Sequence, residues 1–198
     1  MIRSHLRAGI ALACALGLSA CGGGDGDLYI GGSVSGNTKD GLAVTNNDGP
    51  RLEIKAGATS FVFPELVETD SRYNVKVVAW PDNTEGANGA PGCQVVEGTG
   101  TGRAVFSVSS VRIVCTLKTF PLTARISGQR GAGLELVNGA DRKVVAVGET
   151  SVNLLPIPEG AVYGVTVLKS PDGQTCSVAN GSGTMGTQGK TVDVTCAP

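Results

Sequence analysis

A thiol can be acylated, joined in a disulfide or used to hold a metal, and this 198-residue chain has six: Cys14, Cys21, Cys93, Cys115, Cys176 and Cys196. Its one histidine is His5. Glu65, Glu68 and Asp70 form the densest acidic cluster, and a carboxylate pair flanking a cleft could hydrolyse a glycoside. Asp25 and Asp27, and Asp82-Asn83-Thr84-Glu85 with Asn88, offer oxygens to a cation. Calcium needs about six to eight of them, and no EF-hand spacing is present. Gly181-Ser182-Gly183-Thr184-Met185-Gly186 fits G-x-G-x-x-G, and Gly189-Lys190-Thr191 looks like the end of a phosphate loop. The first lies between two cysteine-bearing strands and should be a hairpin loop. The second has Thr184 where a phosphate loop needs glycine. The acidic clusters read as solvated turns.

The reactive groups at the start of the chain belong to an address. Arg3, His5 and Arg7 precede Ala8 to Leu18, an apolar run without charge. Its length suits the ~7–15 residues of a signal-peptide core and is short of the ~20 needed to span a bilayer. It ends in Leu18-Ser19-Ala20-Cys21, which resembles the lipobox of bacterial lipoproteins. That resemblance implies that the Cys21 thiol takes a diacylglycerol, that cleavage removes residues 1–20, and that the new amino group is acylated, palmitate being one such chain. Cys14 fits less well, because Ala11 stands where the motif wants leucine. Gly22, rather than aspartate, follows the cysteine and implies the outer membrane over the inner. Residues 22–27, GGGDGD, carry no apolar side chain and read as a tether.

Cleavage narrows the chemistry. Arg3 and Arg7 depart, so 16 Lys+Arg fall to 14 against 17 Asp+Glu, and the formal charge goes from −1 to −3. With no basic stripe, nucleic acid is not an expected partner. His5 also departs, and a chain without histidine cannot build a Ser-His-Asp site or a His-ligated zinc or haem site. The expectation is a non-enzyme with no cofactor and no metal.

The rest is one module written twice. Gly36, Gly41, Leu42, Val44 and Asn46 match Gly128, Gly133, Leu134, Leu136 and Asn138. Gly57 and Ser60 match Gly148 and Ser151, and Tyr73, Val75, Val77, Pro81 and Asp82 match Tyr163, Val165, Val167, Pro171 and Asp172. Cys93, Val95, Gly98 and Gly100 align with Cys176, Val178, Gly181 and Gly183, and Cys115 with Cys196. The expected organisation is a signal peptide over 1–20, lipidated Cys21 and tether over 21–27, and modules over 28–117 and 120–198.

Alternation at period two, as in Leu42/Val44, Phe61/Phe63 and Tyr73/Val75/Val77, marks half-buried strands. Asn46-Asn47-Asp48-Gly49 and Asn138-Gly139 are turns. The expected fold is all-β: two tandem immunoglobulin-like β-sandwiches of six or seven strands each. Four cysteines allow three pairings. The repeat, together with the face each cysteine shares with Val95, Ile113, Val178 or Val194, selects Cys93–Cys115 and Cys176–Cys196. Closing a loop of ~20 residues adds ~3 kcal/mol in the chain-entropy model. The repeat resembles short β-sandwich repeats of proteobacterial surface and secreted proteins, which often sit between a lipobox and a larger domain.

Trp80 is the remaining candidate. The parity of Tyr73, Val75 and Val77 puts it on the outer face, and its counterpart is Ser170. It adjoins a long insertion between Pro81 and Cys93 that the second module lacks. Trp80, Asp82, Asn83, Glu85 and Asn88 are therefore the candidate contact residues for a protein or glycan. The expected role is a membrane-anchored envelope lipoprotein with a structural or protein-interaction function, the alternative being carbohydrate or peptide binding through Trp80 and residues 82–92.

Overall fold

The computed structural model describes residues 28–198. The signal peptide, Cys21 and the tether expected over 21–27 lie outside the described residues. The protein is all-β, with eight strands in each of two sandwiches. The first contains β1 (Ile30–Ser35), β2 (Leu42–Asn46), β3 (Leu52–Ile54), β4 (Ser60–Val62), β5 (Ser71–Ala79), β6 (Cys93–Val95), β7 (Thr101–Ala104) and β8 (Val108–Cys115). The second contains β9 (Thr119–Ser127), β10 (Leu134–Asn138), β11 (Asp141–Val145), β12 (Ser151–Pro158), β13 (Val162–Lys169), β14 (Thr175–Ala179), β15 (Ser182–Thr184) and β16 (Lys190–Ala197).

Each sandwich stacks two four-stranded sheets in the same order. These are β4-β1-β8-β6 on β3-β2-β5-β7, and β12-β9-β16-β14 on β11-β10-β13-β15. Within each, the first and last strands pair in parallel, β1 with β8 and β9 with β16; every other pairing is antiparallel. Each sandwich closes over its own core. Ile30, Leu42, Val44, Val75, Val111 and Ile113 fill the first, and Leu122, Leu134, Leu136, Val165, Val192 and Val194 the second. Phe61 and Phe63 meet edge to face at 5.7 Å in the first core, an arrangement favoured by the ring quadrupoles. Val152 and Leu154 occupy the matching places in the second.

The seventh strand of each module is the one the sequence hides. Residues 182–184 of the glycine-rich run are not a hairpin loop: they form β15, on the sheet opposite the disulfide-bearing strands. The repeat alignment also shifts here. Val75 N–H donates to the Gly100 carbonyl and Val165 N–H to the Gly181 carbonyl. Tyr73 faces Gly102, and Tyr163 faces Gly183. Gly100 and Gly102 are thus the counterparts of Gly181 and Gly183, replacing the Gly98/Gly181 and Gly100/Gly183 matches. The 96–99 turn of the first module, closed by Thr99 N–H on the Val96 carbonyl, holds the two extra residues. These glycines have a steric reason. A Cβ on Gly102 or Gly183 would lie 2.9 Å from the tyrosine hydroxyl that covers it. The ring lies over the bare backbone and shields a strand that has no side chain of its own to pack.

Both disulfides form as the repeat requires, Cys93–Cys115 and Cys176–Cys196. Each joins residues directly opposite on neighbouring antiparallel strands. Each also sits beside a glycine with positive φ. A Cβ on Gly36 would meet the Cys115 carbonyl oxygen at 2.1 Å, and one on Gly128 the Cys196 oxygen at 2.2 Å.

Two measurements check this architecture. Non-reducing peptide mapping should recover only Cys93–Cys115 and Cys176–Cys196 peptides among these four cysteines. Removing the second bridge as Cys176→Ala/Cys196→Ala should lower the stability of that module by about 2–5 kcal/mol in denaturant unfolding.

Candidate functional site

Antiparallel pairing with β2 and β7 makes β5 alternate between its two faces as far as Val77, and Val78 is the extra residue of a bulge against β2. Val75 is buried, Tyr73 and Val77 half-buried, and Lys76 exposed. Val78 and Trp80, at and beyond this bulge, are exposed at 44% and 42%. Trp80 therefore stands outside the core, next to the loop the sequence singles out.

That loop is less free than its composition suggests. Pro81 is buried, and its carbonyl accepts both the N–H and the hydroxyl of Thr84, at 3.1 and 2.6 Å. Pro171 closes the same turn in the second module with Gln174 N–H. The extra length is confined to residues 85–91, whose two ends are laced to the segment that joins the modules. Glu85 N–H donates to the Thr116 carbonyl, Thr116 N–H to the Gly92 carbonyl, and Thr84 bridges Leu117. The Asn83 carbonyl accepts Lys118 N–H at 2.9 Å, and the Lys118 carbonyl accepts Glu159 N–H from the second module at 2.9 Å. The insertion is thus a strap across the joint.

Asn83 is corrected by this geometry. It is 5% exposed, and its Nδ2 donates to Thr38 Oγ1 at 2.9 Å. It faces the joint rather than solvent, because its backbone oxygen must reach Lys118. The other candidates, Asp82, Glu85 and Asn88, are exposed. Asp82 is occupied by Lys39, whose Nζ lies 2.6 Å from its carboxylate. This hydrogen bond holds the Asp82 carboxyl below its usual range and raises the Lys39 ammonium, with lesser help from Lys118 and Glu159 respectively. Among the described residues no hydrogen bond joins Trp80, Glu85 or Asn88 to another member of the set. The sequence reading did not include the residues across the gap. Thr38, Lys39, Asn83, Leu117, Glu159, Gly160 and Ala161 line a cleft of about 430 Å³ between the modules. Only the repeat alignment could have pointed to it, by showing that residues 159–161 and 38–39 lie at facing ends.

Asp70 bonds to Arg103, and Glu65 and Glu68 are exposed at the opposite end of the module. Among the described residues no group of three His, Cys, Asp or Glu side chains could hold a metal ion, and no helix is long and apolar enough to cross a membrane.

No protein-family model and no curated protein matches the chain. Solved structures give distant likenesses. A C-terminal fragment of the pilus adhesin SpaC from Lactobacillus rhamnosus GG aligns over 85% of this chain and 96% of its own, with 10% identity and a TM-score of 0.37. The major pilin T-13 from Streptococcus pyogenes aligns over 87% and 97%, with 16% identity and a TM-score of 0.30. The Bacillus anthracis TIE protein aligns over 86% of this chain and 34% of its own, with 12% identity and a TM-score of 0.32. These values assign neither ligand nor partner.

Two substitutions separate the strap from the exposed ring. Asn83→Ala should destabilise the first module by about 0.5–1.5 kcal/mol, since it removes the hydrogen bond that this buried side chain donates to Thr38. Trp80→Ala should change stability by under about 1 kcal/mol, as expected away from a packed core. Thermal or denaturant unfolding reads both. A loss of about 3–5 kcal/mol for Trp80→Ala would instead mark a core residue.

Proposed function

We propose that this chain is an envelope lipoprotein, anchored to the outer membrane through acyl chains on Cys21, with a non-enzymatic structural or protein-interaction role. The observation that carries the reading is the polarity of each sandwich. Because β1 and β8 run parallel, as do β9 and β16, the chain enters each module at one end and leaves at the other. An anchor before β1 therefore holds one end of the first module near the membrane. The second module follows from its far end, and the loops at 128–133, 146–150 and 170–174 lie at the end of that module where β9 and β16 finish, opposite the end at which the chain enters. This is the geometry of a spacer that carries a surface outward. The lipobox residues Leu18-Ser19-Ala20-Cys21 support the anchor, and a single acyl chain would hold only marginally where two or more hold stably.

A second reading is favoured by one observation: Val78 near the end of β5 and Trp80 just past it are both exposed. They would supply the apolar platform of a carbohydrate or peptide contact, with Asp82, Glu85 and Asn88 as polar groups beside it. Buried aromatic anchors dominate such contacts.

Cys21→Ser tests the first reading. The variant should leave the membrane fraction or accumulate unprocessed, and its mass should lack the acyl chains. Processed Cys21→Ser protein that still fractionates with membranes would falsify the anchor. For the second reading, Trp80→Ala should weaken capture of the partner by over about 2 kcal/mol, as at an interface hot spot.

A further inference from the structure

The end of the first module that receives the chain from residue 27 carries apolar side chains that the fold does not require. Three segments converge there. Leu28 bridges Val67, the Tyr29 carbonyl accepts Val108 N–H, and Asp70 N–H donates to the Ala104 carbonyl. These contacts put Tyr29, Leu66, Val105 and Phe106 at one tip, with exposures of 40%, 52%, 54% and 79%. Phe106 is among the largest and most exposed apolar side chains of the described residues, and apolar residues gathered at one tip mark a contact surface.

The second module shows that this tip is a local addition. At the offset of 81 that relates β7 and the second cysteine to their counterparts, Val105 and Phe106 correspond to Gly186 and Thr187. Leu66 corresponds to Pro156, because Leu28 bridges Val67 as Phe120 pairs with Ile157. The same turn thus forms without apolar side chains at its apex. The module that bears them is the one nearest the start of the chain.

We propose that this tip rests in the surface of the membrane, with Phe106 and Val105 inserted among phospholipid acyl chains at the headgroup boundary. The inference rests on the lipid-anchored reading above. Seven residue steps separate Cys21 from Leu28, and at ~3.3–3.6 Å per residue they span at most ~25 Å. An acylated Cys21 therefore keeps the tip within that distance of the bilayer, and the seven steps can be shorter. The charges at this end are mixed: Glu65, Glu68 and Arg72 are exposed there, and Arg103 is taken by Asp70. Attraction to anionic lipid is not what holds the tip. The occupant is a zwitterionic phospholipid surface, and the contact is insensitive to salt, because apolar burial supplies it. The contact fixes how the first module stands on the membrane, which an acyl chain on a tether alone does not.

Trp80 is the chain's single tryptophan, and it follows the end of β5 opposite the tip. The nine residues of β5 at ~3.3 Å each separate the two ends by ~30 Å. The test uses the full acylated chain in phosphatidylcholine vesicles containing doxyl-labelled lipid, comparing wild type with Trp80→Phe/Phe106→Trp. Mass spectrometry and vesicle flotation are read on the same samples. The expected result is acylated, floating protein in which the tryptophan at 106 is quenched and blue-shifted at low and high salt, while Trp80 of the wild type is not. Floating, acylated protein with an unquenched tryptophan at 106 overturns the docked tip and leaves the anchor standing. Equal quenching at 80 and 106 means the module lies flat, and overturns it too. Protein without acyl chains that does not float overturns the anchored reading, and this inference with it. If the Phe106→Trp variant does not fold, Val105→Trp in the Trp80→Phe background carries the same probe.

Discussion

The structure depends on a parallel pairing of backbone strands about 80 residues apart in the first module and about 70 in the second. Leu42, Leu134 and their neighbours can form hairpins from local sequence alone, but a hairpin buries only one side of itself. Burial becomes complete when β8 returns to lie beside β1, and β16 beside β9. That pairing brings the first and last strands into the centre of one sheet, and their inward residues, Val34, Val111 and Ile113 or Leu122, Val192 and Val194, then close the core. Such contacts are slow to form because their loop entropy is lost before they stabilise anything. The disulfide lies at the exit of the same strand in each module, where it reduces the freedom of the chain that must find this register.

Much of this was legible in the sequence because its causes are local and periodic. Alternation showed β5 as far as the bulge at Val78. The doubled Tyr-x-Val-x-Val and paired cysteines showed two modules and their bridges. What was not legible is instructive. β7 and β15 consist largely of glycine and small polar residues, so they have no hydrophobic period to detect. They are strands because a tyrosine from the neighbouring strand lies over them. The glycine alignment slipped for the same reason: glycines two apart are interchangeable in sequence, and only the ring above distinguishes them.

The loop over 82–92 shows the opposite error. Its Asp, Asn, Glu and Gly content reads as solvated surface, and Asp82, Glu85 and Asn88 are indeed exposed. Its backbone, however, supplies the hydrogen bonds that the joining segment needs at Thr116 and Lys118. Composition reports what side chains prefer. It does not report where main-chain donors and acceptors must find partners, and a connection between two domains leaves such groups unpaired unless something covers them. Asn83 is buried beside that joint.

The parallel terminal strands also bear on how the protein would carry load. A pull between an attachment before β1 and one beyond β16 draws β1 and β8 along their length in opposite directions. The ladder between Gly32–Ser35 and Val111–Val114 then resists in shear, with its hydrogen bonds strained together rather than opened one at a time from an end. The Cys93–Cys115 bond ties the exit of β8 to its other neighbour, so that strand cannot slide out alone. The second module repeats the arrangement between Lys190–Thr195 and Leu122–Ser127. Two small sandwiches in series, each with its terminal strands set in this way, would resist such a pull in shear although their cores are modest.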